Sequence, residues 1–133
     1  MASVQRDVSI HAPAASVWDA LRDVGALHTR LVPGFVTDCR LDGDTRTVTF
    51  GDGTVVHERI IAIDDAQRRV VWSVRDAPFV HHNGAAQVTE DGADRCRVTW
   101  TADLLPDTLA ERTAAMMEQG LDAMRRALEK RAP

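Results

Sequence analysis

A chain of 133 residues is one domain by length, large enough to bury a core and keep a modest cavity. Apolar residues at 44% and charged residues at 27% fit an ordinary globular protein and argue against a disordered one. The net charge of −4, with arginines scattered along the chain, argues against nucleic acid as a partner.

Val4 to His11 alternates and predicts a strand. Pro13 suits the first turn of a helix whose apolar stripe is Val17, Trp18 and Leu21. Gly25 breaks it, and Ala26 to Val32 predicts a second short helical turn before Pro33-Gly34. Phe35 to Leu41 and Thr45 to Phe50 are strands joined at Asp42-Gly43, a hairpin signal. After the Gly51-Asp52-Gly53 turn come strands at Val55 to Ile63 and Arg68 to Val74, with Asp64 to Gln67 between them. A Pro78 loop leads to a strand from His82 to Glu90; Asp91-Gly92 turns the chain into a last strand, Arg95 to Leu105. Beyond Pro106-Asp107, with Asp107 or Thr108 as its cap, Leu109, Thr113, Met116, Met117, Gly120, Leu121, Met124 and Leu128 share one face of a long helix. A strand, two short helices, six strands and one long helix predict an α+β fold with the helix laid across one sheet face.

Every second strand residue shares a face. One phase collects Val56, Glu58, Ile60 and Ala62, then Val70, Trp72 and Val74, then His82, Gly84, Ala86 and Val88. Thr37, Cys39 and Leu41 extend it on the second strand and Val48 and Phe50 on the third, while Met117, Leu121 and Met124 close it from the helix. This face is apolar, contains small residues, and carries Glu58 and His82 as its ionisable groups, a pattern that predicts a cavity with a polar handle. The turns set Glu58 opposite Val74 and Val74 opposite His82, so backbones two strands apart are separated by about 10 Å. Glu58 and His82 are therefore candidates for acid–base chemistry on a ligand or water held between them, beside the flat wall of Trp72. Gly120 either leaves room for a ligand or permits close helix–sheet packing.

The histidines lack metal-ligand spacing, and Cys39 and Cys96 form no CxxC pair, so neither metal nor cofactor is expected. The thiols read as reduced residues of a cytoplasmic protein. Met1 to Ile10 lacks the pattern of a secretory leader, and no apolar run approaches the length of a membrane span.

Several motifs in this order resemble the SRPBCC superfamily, the START-like helix-grip fold, and its bacterial polyketide cyclase/dehydrase-like branch. They are Val8-Ser9-Ile10-His11-Ala12-Pro13 leading to Val17-Trp18-Asp19-Ala20-Leu21, Glu58-Arg59-Ile60 leading to Ile63-Asp64, Val98-Thr99-Trp100 leading to Leu105-Pro106, and the Gly120-Leu121 helix. The resemblance implies a single helix-grip domain over 1–133: a curved antiparallel sheet of seven strands around the C-terminal helix, with a cavity for hydrophobic small molecules. Glu58-Arg59-Ile60 is also similar to a segment of the plant abscisic-acid receptors. Their cavity lysine aligns with Thr37, and their long gating loop with the tight Gly51-Asp52-Gly53 turn, so carboxylate recognition and hormone gating are not implied. On the last strand, patterning turns Cys96, Val98, Trp100 and Ala102 inward, whereas alignment with those receptors turns Thr99 and Thr101 inward.

Three functions remain open on this reading. The first is a module binding a small hydrophobic or aromatic molecule in the internal cavity. The second is a cyclase/dehydratase-type enzyme using Glu58 and His82. The third is a protein-interaction domain, monomeric or homodimeric, whose outward Val55, Ile61 and Ile63 contribute to an apolar patch.

Overall fold

The computed structural model of the protein describes residues 1–131, with side chains through residue 129. Strand β1 (Ala2–Ile10) is followed by helix α1 (Ala14–Arg22) and a π-helical turn, Leu27–Leu31. Six strands follow: β2 (Val36–Asp42), β3 (Thr45–Phe50), β4 (Val55–Asp64), β5 (Arg69–Val74), β6 (His81–Glu90) and β7 (Cys96–Leu105). A single 3-10 turn, Asp107–Leu109, then leads into helix α2 (Ala110–Arg131). Pro106 occupies the cap position of that turn with no side-chain capping bond, so neither Asp107 nor Thr108 serves as the cap expected from their residue type.

The strands form one curved antiparallel sheet in the order β1-β7-β6-β5-β4-β3-β2, every chain-adjacent pair from β2 to β7 being hairpin-connected. Its inner face and α2 enclose the core. Met117, Leu121, Met124 and Leu128 are buried at helical spacing, while Glu118, Asp122 and Arg126 stay in water. Burying each such apolar side chain contributes roughly 1.5–3 kcal/mol. Helix α1 buries Val17, Trp18 and Leu21. Its Trp18 Nε1 donates to Asp65 Oδ1 at 3.0 Å and Arg22 Nε to the same oxygen at 2.8 Å, tying the helix to the β4–β5 turn. Those bonds, Arg22's first, hold the Asp65 carboxyl below its ordinary pKa.

Two bulges correct the expected alternation. Between Val36 and Asp38 the β2–β3 register shifts, which leaves Thr37 as the extra residue. Val36 and Cys39 face inward, whereas Thr37 is exposed, its hydroxyl donating to the Thr49 carbonyl at 3.3 Å, and Leu41 is exposed as well. A second shift between Ile60 and Ala62 leaves Ile61 unpaired, and Ala62, expected inward, is exposed. Val55 and Ile61 are exposed, as their phase predicts; Ile63 is exposed too, although the bulge sets it opposite the inward Val70. Among the described residues no helix is long and apolar enough to cross a membrane.

Candidate functional site

Between the inner sheet face and α2 lies a cavity of about 580 Å³. Its walls include Val48 and Phe50 of β3, Val56 of β4, Val70, Trp72 and Val74 of β5, Ala86 of β6 and Trp100 of β7. Leu21 of α1, Leu27, Leu31 and Val32 close one end, and Leu109, Met116 and Met124 form the helix side. A mostly apolar hollow with a few convergent polar groups is the usual form of a small-molecule site.

The buried polar residues of the wall are Arg46, Glu58, His82 and Thr113, while Asp52, Thr54, Arg112 and Gln119 line it at exposed positions. Glu58 lies opposite Val74, and the β5–β6 pairing that ends at Ser73 and Asn83 sets Val74 beside His82, so the expected row is present. On the other side of Glu58, directly opposite on β3, is Arg46. Its Nε donates to Glu58 Oε1 at 2.7 Å, with the two side chains only 4% and 10% exposed. A second guanidinium nitrogen donates to the Val24 carbonyl at 3.2 Å, and the guanidinium carbon stands 5.4 Å from the Trp72 ring centroid. Glu58 is thus half of a buried, hydrogen-bonded ion pair. Arg46 was not among the residues expected here, although it shares the β3 phase of Val48 and Phe50 and could have been placed by that alternation.

His82 is buried, and desolvation holds its imidazole below the ordinary pKa against the opposing pull of Glu58, favouring the neutral ring. Phe79 meets it edge-on at 4.8 Å between ring centroids. Trp72 and Trp100 form a tilted pair with centroids 6.0 Å apart, so the patterned phase of β7 is the inward one and Thr99 and Thr101 are not in the wall. His57, expected on the outer face, is exposed there and pairs with Asp76 through Nδ1 at 2.8 Å.

Six expected lining residues do not reach the cavity. Thr37 is turned away by its bulge. Cys39 is buried with its sulfur 3.7 Å from the Val24 carbonyl, and burial pushes its thiol up, away from the reactive thiolate. Ile60 lies opposite Trp72 and packs against the core. Gly84 leaves no free space: a Cβ there would come within 2.6 Å of the Trp72 indole, which occupies the place of the missing side chain. Met117 packs with Val4, Ala102, Leu104 and Ala114, and Leu121 is part of the main core. A position on the inner face is therefore not a position in the cavity wall. Gly120 resolves similarly: a Cβ would meet Trp100 at 2.9 Å and Phe35 at 3.0 Å, so its absent methyl admits two aromatic rings.

At the mouth, the loop before β2 touches the β3–β4 turn. Gly51 N donates to the Phe35 carbonyl at 3.0 Å, and a Cβ on Gly51 would lie 2.7 Å from the Gly34 oxygen. Gly34, Phe35, Gly51 and Asp52 form this side of the opening, facing Arg112 and Met116 of α2 and Pro78 and Phe79 of the β5–β6 loop. Among the described residues no cluster of three His, Cys, Asp or Glu side chains could hold a metal ion.

A seven-stranded antiparallel sheet curled around a long C-terminal helix, with a cavity between them, is the START-like helix-grip architecture. The chain belongs to the family described as polyketide cyclase / dehydrase and lipid transport, which it matches over residues 1–129, within the SRPBCC superfamily. No curated protein is similar enough to count as a match. Among solved structures, a Thermobifida fusca protein shares 30% identity at a TM-score of 0.77, the similarity covering 94% of this chain and 91% of that one. The di-domain ARO/CYC BexL from the BE-7585A biosynthetic pathway is 18% identical at a TM-score of 0.80, covering 97% of this chain and 47% of BexL. Norcoclaurine synthase from Thalictrum flavum, in complex with dopamine and hydroxybenzaldehyde, is 17% identical at a TM-score of 0.73, covering 99% of this chain and 88% of that one. The last two likenesses show the fold alone.

Proposed function

We propose that this protein binds a small hydrophobic or aromatic molecule in the cavity between the sheet and α2. The observation that supports this reading most is the 580 Å³ hollow itself, lined by Trp72, Trp100 and Phe50 with only a few polar groups. A domain with no ligand to hold gains by filling such a volume, because each cubic ångström left empty beside apolar side chains forfeits packing energy. The dopamine and hydroxybenzaldehyde in the norcoclaurine synthase complex are aromatic molecules of a size such a hollow accommodates. Native mass spectrometry of freshly purified protein tests the reading. A retained small molecule, or saturable uptake of naphthalene with a change in tryptophan emission, is the expected result. A protein that takes up no apolar aromatic probe would refute it.

A catalytic reading is favoured by one specific observation, the buried His82 with its neutral ring beside the cavity. A neutral imidazole can accept a proton, whereas the Glu58 carboxylate is already engaged by Arg46. In a cyclase/dehydratase-type reaction His82 would then move the proton, while Glu58 and Arg46 would fix the electrostatics around it. His82→Gln should abolish turnover of an aromatic polyketide-type substrate while retaining its binding; unchanged turnover would exclude this role. The two buried, free thiols suit a reducing compartment such as the cytoplasm.

A further inference from the structure

Two nitrogens in the cavity wall, Trp100 Nε1 and His82 Nδ1, are buried and have no hydrogen-bond partner among the described residues. Buried polar atoms are nearly always paired, and an unpaired one is costly to leave so. His82 as a whole residue is 5% exposed.

The strands place the two groups at opposite ends of one wall. Ala86 on β6 lies opposite Trp100 on β7, and His82 is four residues before Ala86. Four residues along a strand and one strand across separate their backbones by about 14 Å. The two unpartnered nitrogens thus belong to residues at different levels of the wall. Between them the wall is aromatic: Trp72 lies beside Trp100, and Phe79 beside His82.

The chemistry of each nitrogen limits its partner. An indole N–H only donates, so Trp100 calls for an acceptor oxygen. The Nδ1 of a neutral imidazole donates in one tautomer and accepts in the other, and a hydroxyl satisfies either. Charge narrows the choice further. Arg46 is already neutralised by Glu58 at 2.7 Å and bonded to the Val24 carbonyl. A ligand anion would bring a second negative charge to the same buried cation and would lose its own hydration on entering.

We propose that the cavity selects an uncharged, flat ring system with oxygen at both ends, a carbonyl or hydroxyl oxygen accepting from Trp100 and a hydroxyl pairing with His82. This rests on the cavity-binding reading above and adds to it which atoms choose the ligand. A ligand that would bury a carboxylate beside the Arg46–Glu58 pair is selected against; the other lining cation, Arg112, is exposed.

Calorimetric titration of the full chain with naphthalene, 2-naphthol, 2,6-dihydroxynaphthalene and 2-naphthoate tests the proposal. The dihydroxy compound should bind about tenfold or more tighter than naphthalene, and naphthoate more weakly than 2-naphthol. Trp100→Phe keeps a ring but removes the N–H, and His82→Phe removes the imidazole. Each should erase a large part of the dihydroxy compound's advantage over naphthalene, with circular dichroism showing that the variant is folded. Equal affinity for all four compounds, tightest binding of naphthoate, or unchanged selectivity in both variants would overturn the proposal. Should a variant fail to fold, the wild-type series decides alone. If naphthalene and its derivatives all fail to bind, the cavity reading falls as well, so the two failures are distinguishable.

Discussion

Replacing Arg46 with Met removes a cation whose side chain is 4% exposed and leaves Glu58, 10% exposed, with a buried charge and no counterion. The cost has identifiable parts: the bond to Glu58 at 2.7 Å, the bond to the Val24 carbonyl at 3.2 Å, and the stack over Trp72. Breaking a buried ion pair from one side typically costs about 3–5 kcal/mol, most of it the penalty of the stranded charge. Against a domain stability of about 5–15 kcal/mol that is a large fraction. With a urea m-value of about 2 kcal/mol/M, the unfolding midpoint should fall by about 2 M. The double variant Arg46→Met/Glu58→Leu removes both charges, and an apolar pair of similar volume should restore stability to within about 1 kcal/mol of the wild type. Urea unfolding followed by tryptophan fluorescence measures all three proteins. A single variant losing less than about 1 kcal/mol would mean a pair solvated like a surface one. A double variant as unstable as the single would mean that the guanidinium's contacts with Val24 and Trp72, rather than charge balance, carry the stabilisation.

Gly84→Ala places a Cβ within 2.6 Å of the Trp72 indole, which must shift toward the hollow. A loss of about 1–3 kcal/mol is expected together with weaker uptake of naphthalene; calorimetry showing both unchanged would mean that the indole has another place to go. His82 predicts a stability slope on the acid side. Burial holds its pKa below 6.5, so well above that value neither folded nor unfolded chain carries the proton and nothing is gained or lost. As the pH falls through about 6.5 the unfolded chain takes up a proton that the folded chain does not, and stability declines until the folded value is passed. Urea titrations between pH 8 and 5, on scales of about one pH unit, should therefore show a steeper loss in the wild type than in His82→Phe, and parallel curves would refute the assignment.

Most of the fold is legible in local chemistry. Alternation, the Asp42-Gly43 and Asp91-Gly92 turns and the apolar stripe of α2 are each short-range signals, and they agree with one another. The same signals set Glu58 opposite Val74, because hairpin register follows from where the turns fall. Bulges leave no such mark. The extra residue in β2 moved Thr37 outward, and the one in β4 did the same to Ala62. Arg46 escaped for a different reason: an arginine in a strand reads as a solvent-facing residue unless its buried partner is recognised from across the sheet. Trp100 and Gly84 show a third limit. Phase decides which way a side chain points, but whether it lines a hollow or fills one depends on volumes contributed by three or four strands at once.

The backbone contact between Gly51 and the Gly34–Phe35 segment has a consequence for how a molecule enters and leaves. The two loops form one rim, joined by an amide hydrogen bond at 3.0 Å and too close for even a methyl group between them. Traffic through the mouth must then be governed from the opposite bank, where Phe79 and Met116 present side chains rather than joined backbone. Exchange rates should respond to substitutions at Phe79 and Met116, whereas the Gly51 side should set little of the rate. In kinetic terms the Gly51 side is the doorframe, and the door hangs on the other side.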